Sequence, residues 1–344
     1  MKVRRMVTAG AAALATCGAL GTAPAAAQAR SSSTPVWTRQ SPAAHPFQRI
    51  YPSMAYDAAT GNVVLFGGQL GRLTPTDRDT WTWDGTSWTQ QQPAVSPVGR
   101  YGATMAYDAD AGNVVLFGGD RGNAASGTRM PDTTWTWDGT NWTEQATAVH
   151  PTPRAYAAMA YDAATGTVVL FGGLGKSRAL GDTWTWNGTT WTQQHPAVHP
   201  GARTNAAMAY DAATGNVVLF GGYTSKGARA DTWTWNGTTW TRQSPATSPP
   251  ARGEAQMAYD AATGTAVMFG GVGTFGANDL LDDTWTWNGT TWTQPAAGPH
   301  SPPRRAQGAM AYDADAGNVV MFGGTGGSFG GPLGSKLPST WTWG

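Results

Sequence analysis

The chain has 344 residues, a formal net charge of +1 and only 12% charged residues, far from the basic excess of a nucleic-acid binder. Its 46 glycines, 18 tryptophans and many threonines and valines, against two glutamates (Glu144 and Glu254), favour β-structure over helix and exclude a disordered chain. That length suits one large all-β domain as well as two ordinary ones.

Residues 1–29 are expected to be an export leader. Lys2, Arg4 and Arg5 form a charged start, residues 6–20 are apolar but too short to span a membrane, and Ala27-Gln28-Ala29 is a cleavage site. A secreted protein follows, not an integral membrane protein. Arg4-Arg5 also admits a twin-arginine route, and Leu14-Ala15-Thr16-Cys17 leaves a lipid anchor at Cys17 open. Cys17 is the only cysteine, so the remaining domain, 30–344, must hold together without disulfides.

Next comes Trp37-Thr38-Arg39-Gln40, the last strand of a repeat whose other strands are missing at this end. Met-Ala-Tyr-Asp then recurs from Met54, Met105, Met159, Met208, Met257 and Met310. After each tetrad an apolar run ends in Gly-Gly, a Thr-Trp-Thr-Trp segment follows, and a Trp-Thr element closes the first five units. These segments predict four strands, A to D, per unit. Asp-Gly or Asn-Gly after strand C, from Asp84-Gly85 to Asn288-Gly289, marks a hairpin turn. Six units of about 50 residues predict a six-bladed β-propeller of four-stranded antiparallel blades. The chain ends at Gly344 on strand C, so the N-terminal strand is expected to complete the last blade and close the ring.

The Gly-Gly ending strand B, the Trp of strand D and the Pro/Arg element before strand A (Thr152-Pro153-Arg154) resemble the kelch repeat of the galactose-oxidase-like superfamily. The resemblance covers 36–344 and implies a propeller of bacterial secreted type. It implies little about activity, because propellers host unrelated functions. The repeated Trp, Tyr and Met positions are expected to fill the space between blades, with sugar stacking on an outer Trp as the alternative.

Alternating strand directions put the A–B and C–D turns on one face and the B–C and D–A connections on the other. The B–C loops hold 10, 13, 8, 8, 11 and 14 residues, and their sequences differ, which points to specificity on that face. The A–B and C–D turns carry ten aspartates (57, 84, 108, 110, 138, 162, 211, 260, 313 and 315) and no Lys or Arg, predicting an acidic face.

Each unit also places an arginine five residues before its Met: Arg49, Arg100, Arg154, Arg203, Arg252 and Arg305. Two readings stand. Each guanidinium bonds a carbonyl or a strand C aspartate (Asp79, Asp182, Asp231, Asp283) of its own blade, or the six ring the channel mouth and grip an anionic ligand.

Galactose oxidase chemistry needs copper held by two His and two Tyr, one Tyr cross-linked to Cys. This mature chain has no Cys, and its five His (45, 150, 195, 199, 300) all lie in D–A linkers. No cofactor or metal is therefore expected. The Asp-x-Asp-x-Gly pairs Asp108/Asp110 and Asp313/Asp315 lack the glutamate of a calcium loop and read as hairpin turns. One enzyme reading survives. Secreted bacterial kelch propellers include a sialic acid mutarotase, and Glu254 is a carboxylate beside a channel arginine, fit for acid–base ring opening. The favoured expectation is a monomeric binding module whose B–C/D–A face takes an anionic saccharide, a cell-envelope polymer or a protein. A structural exoprotein without ligand is the third.

Overall fold

The computed structural model describes residues 34–344 except 72–75, 123–129, 274–278, 297, 299 and 327–334. The leader expected over 1–29, with Cys17, lies outside the described residues, as do parts of four B–C loops. Among the described residues there is no helix, so none is long and apolar enough to cross a membrane.

The fold is a six-bladed β-propeller, as the repeat predicts. Blade 1 comprises Ser53–Asp57, Asn62–Phe66, Thr80–Trp83 and Trp88–Gln91, each antiparallel to the next. Blades 2 to 5 repeat it, with strand A at Thr104–Asp108, Ala158–Asp162, Ala207–Asp211 and Gln256–Asp260. In blade 6, Ala306–Asp313, Asn318–Gly326 and Thr340–Trp343 are completed by Trp37–Gln40. The closing strand sets Trp37 opposite Trp343 and Gln40 opposite Thr340. It is the register that Trp88 and Gln91 keep with Trp83 and Thr80 in blade 1. The six A strands contact one another in cyclic order around the axis.

The period-2 alternation of a strand explains the tetrad. Met54, Val63, Leu65, Trp81, Trp83 and Trp88 turn toward blade 6, whereas Ala55, Val64 and Phe66 turn toward blade 2. Each inter-blade core thus joins a bulky face to a smaller one, and the six cores repeat the arrangement. Strand B is sandwiched on both sides, which is why Asn-Val-Val-Leu-Phe is apolar without alternation.

The tryptophans are packing and hydrogen-bonding pieces, not sugar platforms: Trp83 is fully buried and Trp81 is 8% exposed. The strand D indole of each blade donates to the first strand C threonine of the preceding blade, as in Trp142 Nε1–H to Thr80 Oγ1 at 2.9 Å. The same bond runs from Trp88 to Thr340 and from Trp37 to Thr284, so the set of six closes on itself through the N-terminal strand. Beside each bond a strand B phenylalanine meets the same indole edge to face, as Phe66 meets Trp142 at 5.1 Å. Such pairs contribute about 0.5–1.5 kcal/mol beyond area burial.

The expected acidic face is corrected. Asp57, Asp108, Asp162, Asp211, Asp260 and Asp313 are 0–1% exposed. Each caps its own A–B turn, as Asp57 Oδ1 accepts from Ala59 N–H. Only Asp84, Asp110, Asp138 and Asp315 show their charge to solvent. The Asp110 and Asp315 carboxylates also lie by the Tyr161 and Tyr56 phenols of the next blade. Burial, and then the Asp110 carboxylate, raise the Tyr161 phenol to about 12. The Asp-x-Asp pairs are therefore a turn cap followed by a latch between blades.

Candidate ligand site at the channel mouth

The six arginines begin the D–A linkers' descent into strand A, and all are 0–2% exposed. Each donates Nη1–H to the carbonyl of its own blade's first strand B glycine, from Gly67 in blade 1 to Gly323 in blade 6. Each arginine carbonyl in turn accepts from the second glycine of the preceding blade, as Arg100 O accepts from Gly68 N–H at 2.9 Å. A Cβ on Gly67 would lie 2.4 Å from that same carbonyl, and this close approach is what requires the Gly-Gly pair.

Three arginines also hold a bidentate aspartate: Arg154 with Asp182, Arg203 with Asp231 and Arg252 with Asp283. The aspartate accepts a third bond from the strand C indole, as from Trp233 to Asp231 at 2.8 Å. Burial alone would raise the Asp231 carboxyl, but the Arg203 fork and this indole hold it below its usual range. In blade 1 the partner is Asp77, at 2.6 Å from Arg49, and not Asp79. Asp77 anchors the end of a longer loop by accepting from Asp79 N–H. Burial raises the Asp77 carboxyl despite Arg49. Blades 2 and 6 have Thr133 and Ser339 in place of the aspartate. There burial lowers Arg100 and Arg305 to about 9. Of the two readings of these six arginines, burial and these bonds favour the one in which each guanidinium serves its own blade.

What meets at the axis lies two residues further on. Tyr51, Gly102, Tyr156, Asn205, Glu254 and Gln307 all have positive φ, between 52° and 64°. Their backbones form a closed ring, each N–H donating to the carbonyl of the preceding blade's residue. The bonds run from Gly102 to Tyr51, Tyr156 to Gly102 and so on to Tyr51 to Gln307, at 2.7–3.2 Å. Next to them, Pro52, Ala103, Ala157, Ala206, Ala255 and Gly308 are small. Together the two sets line a cavity of about 130 Å³ at the mouth.

Within this cup the Glu254 carboxylate accepts from Tyr51 O–H at 2.7 Å and from Gln307 Nε2–H at 2.9 Å. Gln256 Nε2–H braces the Glu254 carbonyl at 2.7 Å. Part of the Glu254 side chain faces the cavity, but protein surrounds most of its carboxylate. Burial therefore raises its proton affinity, against the lowering effect of the two donors. The Tyr51 ring stands edge-on to Tyr156 at 4.8 Å. Burial and then the Glu254 charge push the Tyr51 phenol well up. Gly102 is the one ring position without a side chain, and a Cβ there would lie 2.7 Å from the Tyr156 ring.

Of the residues singled out from sequence, the structure brings Glu254 to the cup. It leaves the arginines behind it. Tyr51, Tyr156, Asn205 and Gln307 were missed. Their only mark in the sequence is that the residue two after the repeated arginine changes chemistry in every neighbouring unit. Elsewhere, His195 and His199 line a groove of about 310 Å³ beside Asp182. Among the described residues no group of three His, Cys, Asp or Glu could hold a metal ion.

The fold resembles that of a solved structure, YjhT. The TM-score is 0.64 over 86% of this chain and 95% of the other, with 15% sequence identity. At that identity the likeness speaks for the six-bladed propeller fold alone. No family model matches the chain, and no curated protein matches it by sequence.

Proposed function

We propose that this protein is a binding module of the kelch-type propeller class, exported from a bacterial cell, which holds a small hydroxylated ligand in the cup at the channel mouth. One observation carries the reading. Six linkers share one backbone path, yet their left-handed position bears Tyr, Gly, Tyr, Asn, Glu and Gln in turn. Left-handed backbone costs a non-glycine residue on the order of 1 kcal/mol, so glycine would serve a purely structural ring better. Five side chains that converge on one cavity at such a cost suit recognition. The kelch class and export rest on the sequence: the Gly-Gly and Trp motifs and the leader at 1–29.

The cup offers a carboxylate, amides and phenols, a set that hydrogen-bonds hydroxyls. Among the described residues lining it, none is an arginine that could meet an acidic sugar. Thermal unfolding of the purified protein with galactose and with glucuronate tests this. The neutral sugar is expected to raise Tm and to lose that effect in Asn205→Ala. No shift with any small saccharide, or a shift that Asn205→Ala leaves intact, overturns the cup as the site.

A second reading, acid–base opening of a reducing sugar, is favoured by the pairing of Glu254 with the Tyr51 hydroxyl at 2.7 Å. It predicts faster anomer exchange by NMR, lost in Glu254→Gln. Binding without any acceleration leaves the module reading alone.

A further inference from the structure

Glu254 is held by two neutral donors, Tyr51 and Gln307. Among the described residues no guanidinium or ammonium contributes to its surroundings. Arg252, two residues earlier, is committed to Asp283 at 2.5 Å and to the Gly270 carbonyl. Elsewhere Asp182, Asp231 and Asp283 are paired with arginines, and the buried turn aspartates such as Asp57 accept from the N–H groups of their own turns, whereas Glu254 accepts from side chains alone. A carboxylate taken out of water without a cation is costly, and a cation supplied by a ligand would recover that cost. The rings of Tyr51 and Tyr156 stand beside it in the same cavity. Aromatic faces next to a carboxylate suit an ammonium group, which gains from both. The cavity's roughly 130 Å³ is well below the ~300–1,000 Å³ of drug-sized sites, so it fits a small head group.

We infer that the cup selects a small organic cation, an ammonium group bearing a hydroxylated arm, with Glu254 as its counter-ion and Tyr51 and Tyr156 as its aromatic walls. This rests on the cup being the ligand site and adds the sign of the ligand's charge. An amine-bearing sugar and a free amino alcohol share this chemistry.

Calorimetric titration with choline and with 3,3-dimethylbutan-1-ol, its uncharged carbon isostere, tests the charge directly. Choline is expected to bind about tenfold or more tightly than the isostere. That preference should vanish in Glu254→Gln and persist in Glu254→Asp, which keeps the charge should the glutamine variant fold poorly. Glucosamine against galactose should show the same preference if the natural source is a sugar. Equal binding of choline and isostere, with galactose still bound, overturns the cation and leaves the cup standing. If neither choline nor any sugar binds, the cup itself fails and the inference with it.

Discussion

Removing the carboxylate from one buried arginine tests how the blades are held. Asp231→Ala strips Arg203 of two hydrogen bonds at 2.8 and 2.9 Å and Trp233 of its only acceptor. The Arg203 side chain is 2% exposed, so water cannot replace the lost partner without opening the blade. Breaking a buried pair typically costs about 3–5 kcal/mol. Arg203 retains the carbonyls of Gly201 and Gly221, which puts the expectation near the lower end, about 3 kcal/mol. Asp231→Thr copies the arrangement that Thr133 makes with Arg100 in blade 2, and should cost only about 1 kcal/mol. Urea unfolding followed by tryptophan fluorescence reads both. The pair also carries a pH signature. The Asp231 carboxyl is held below its unfolded value, so its contribution is full above the ordinary carboxylate range and is lost as the pH falls through the lowered folded value. The gap between wild type and Asp231→Ala should therefore narrow in acid. An alanine variant that costs under about 1 kcal/mol, or a threonine variant as damaged as the alanine one, would refute the claim that the carboxylate is what satisfies this guanidinium.

Two further outcomes follow from other contacts. Trp142→Phe keeps most of the packing against Phe66 but deletes the N–H to Thr80, so it should cost about 1–3 kcal/mol, against about 3–5 for Trp142→Ala, in the same urea assay. Burial raises the Glu254 carboxyl, so the folded state binds its proton more tightly than the unfolded chain does. That contribution is present in acid and lost as the pH rises through the raised value, so Glu254→Gln should raise Tm at neutral pH by a margin that shrinks in acid.

Most of the architecture could be read from spacing. The six tetrads, the stray Trp37 strand and the unfinished unit at Trp343 lead directly to a ring closed by both ends of the described chain, because strand pattern and turn chemistry are local properties. The site was legible only in part. Glu254 stood out as the carboxylate beside a repeated arginine. Tyr51, Asn205 and Gln307 did not, since nothing in a side chain announces positive φ, and their ring of bonds exists only once six distant linkers meet. The arginines left two readings open for a related reason. A sixfold repeat of cations looks like a binding surface until the glycine carbonyls and aspartates that consume them are placed. Asp77 in place of Asp79 is a smaller case of the same kind, decided by how a longer loop turns.

The ring at the mouth has one more consequence. In a helix, peptide dipoles add along an axis and leave charged poles at the two ends. Here six peptide N–H groups each point at the carbonyl of the neighbour on the same side, from Gly102 to Tyr51 around to Tyr51 and Gln307. Arranged in a circle, their in-plane components cancel, and every ring N–H already has an acceptor, so none is left for a ligand. The ring brings no net charge of its own to the cup. Whatever charge a ligand feels there comes from side chains, and a single residue such as Glu254 can set its sign.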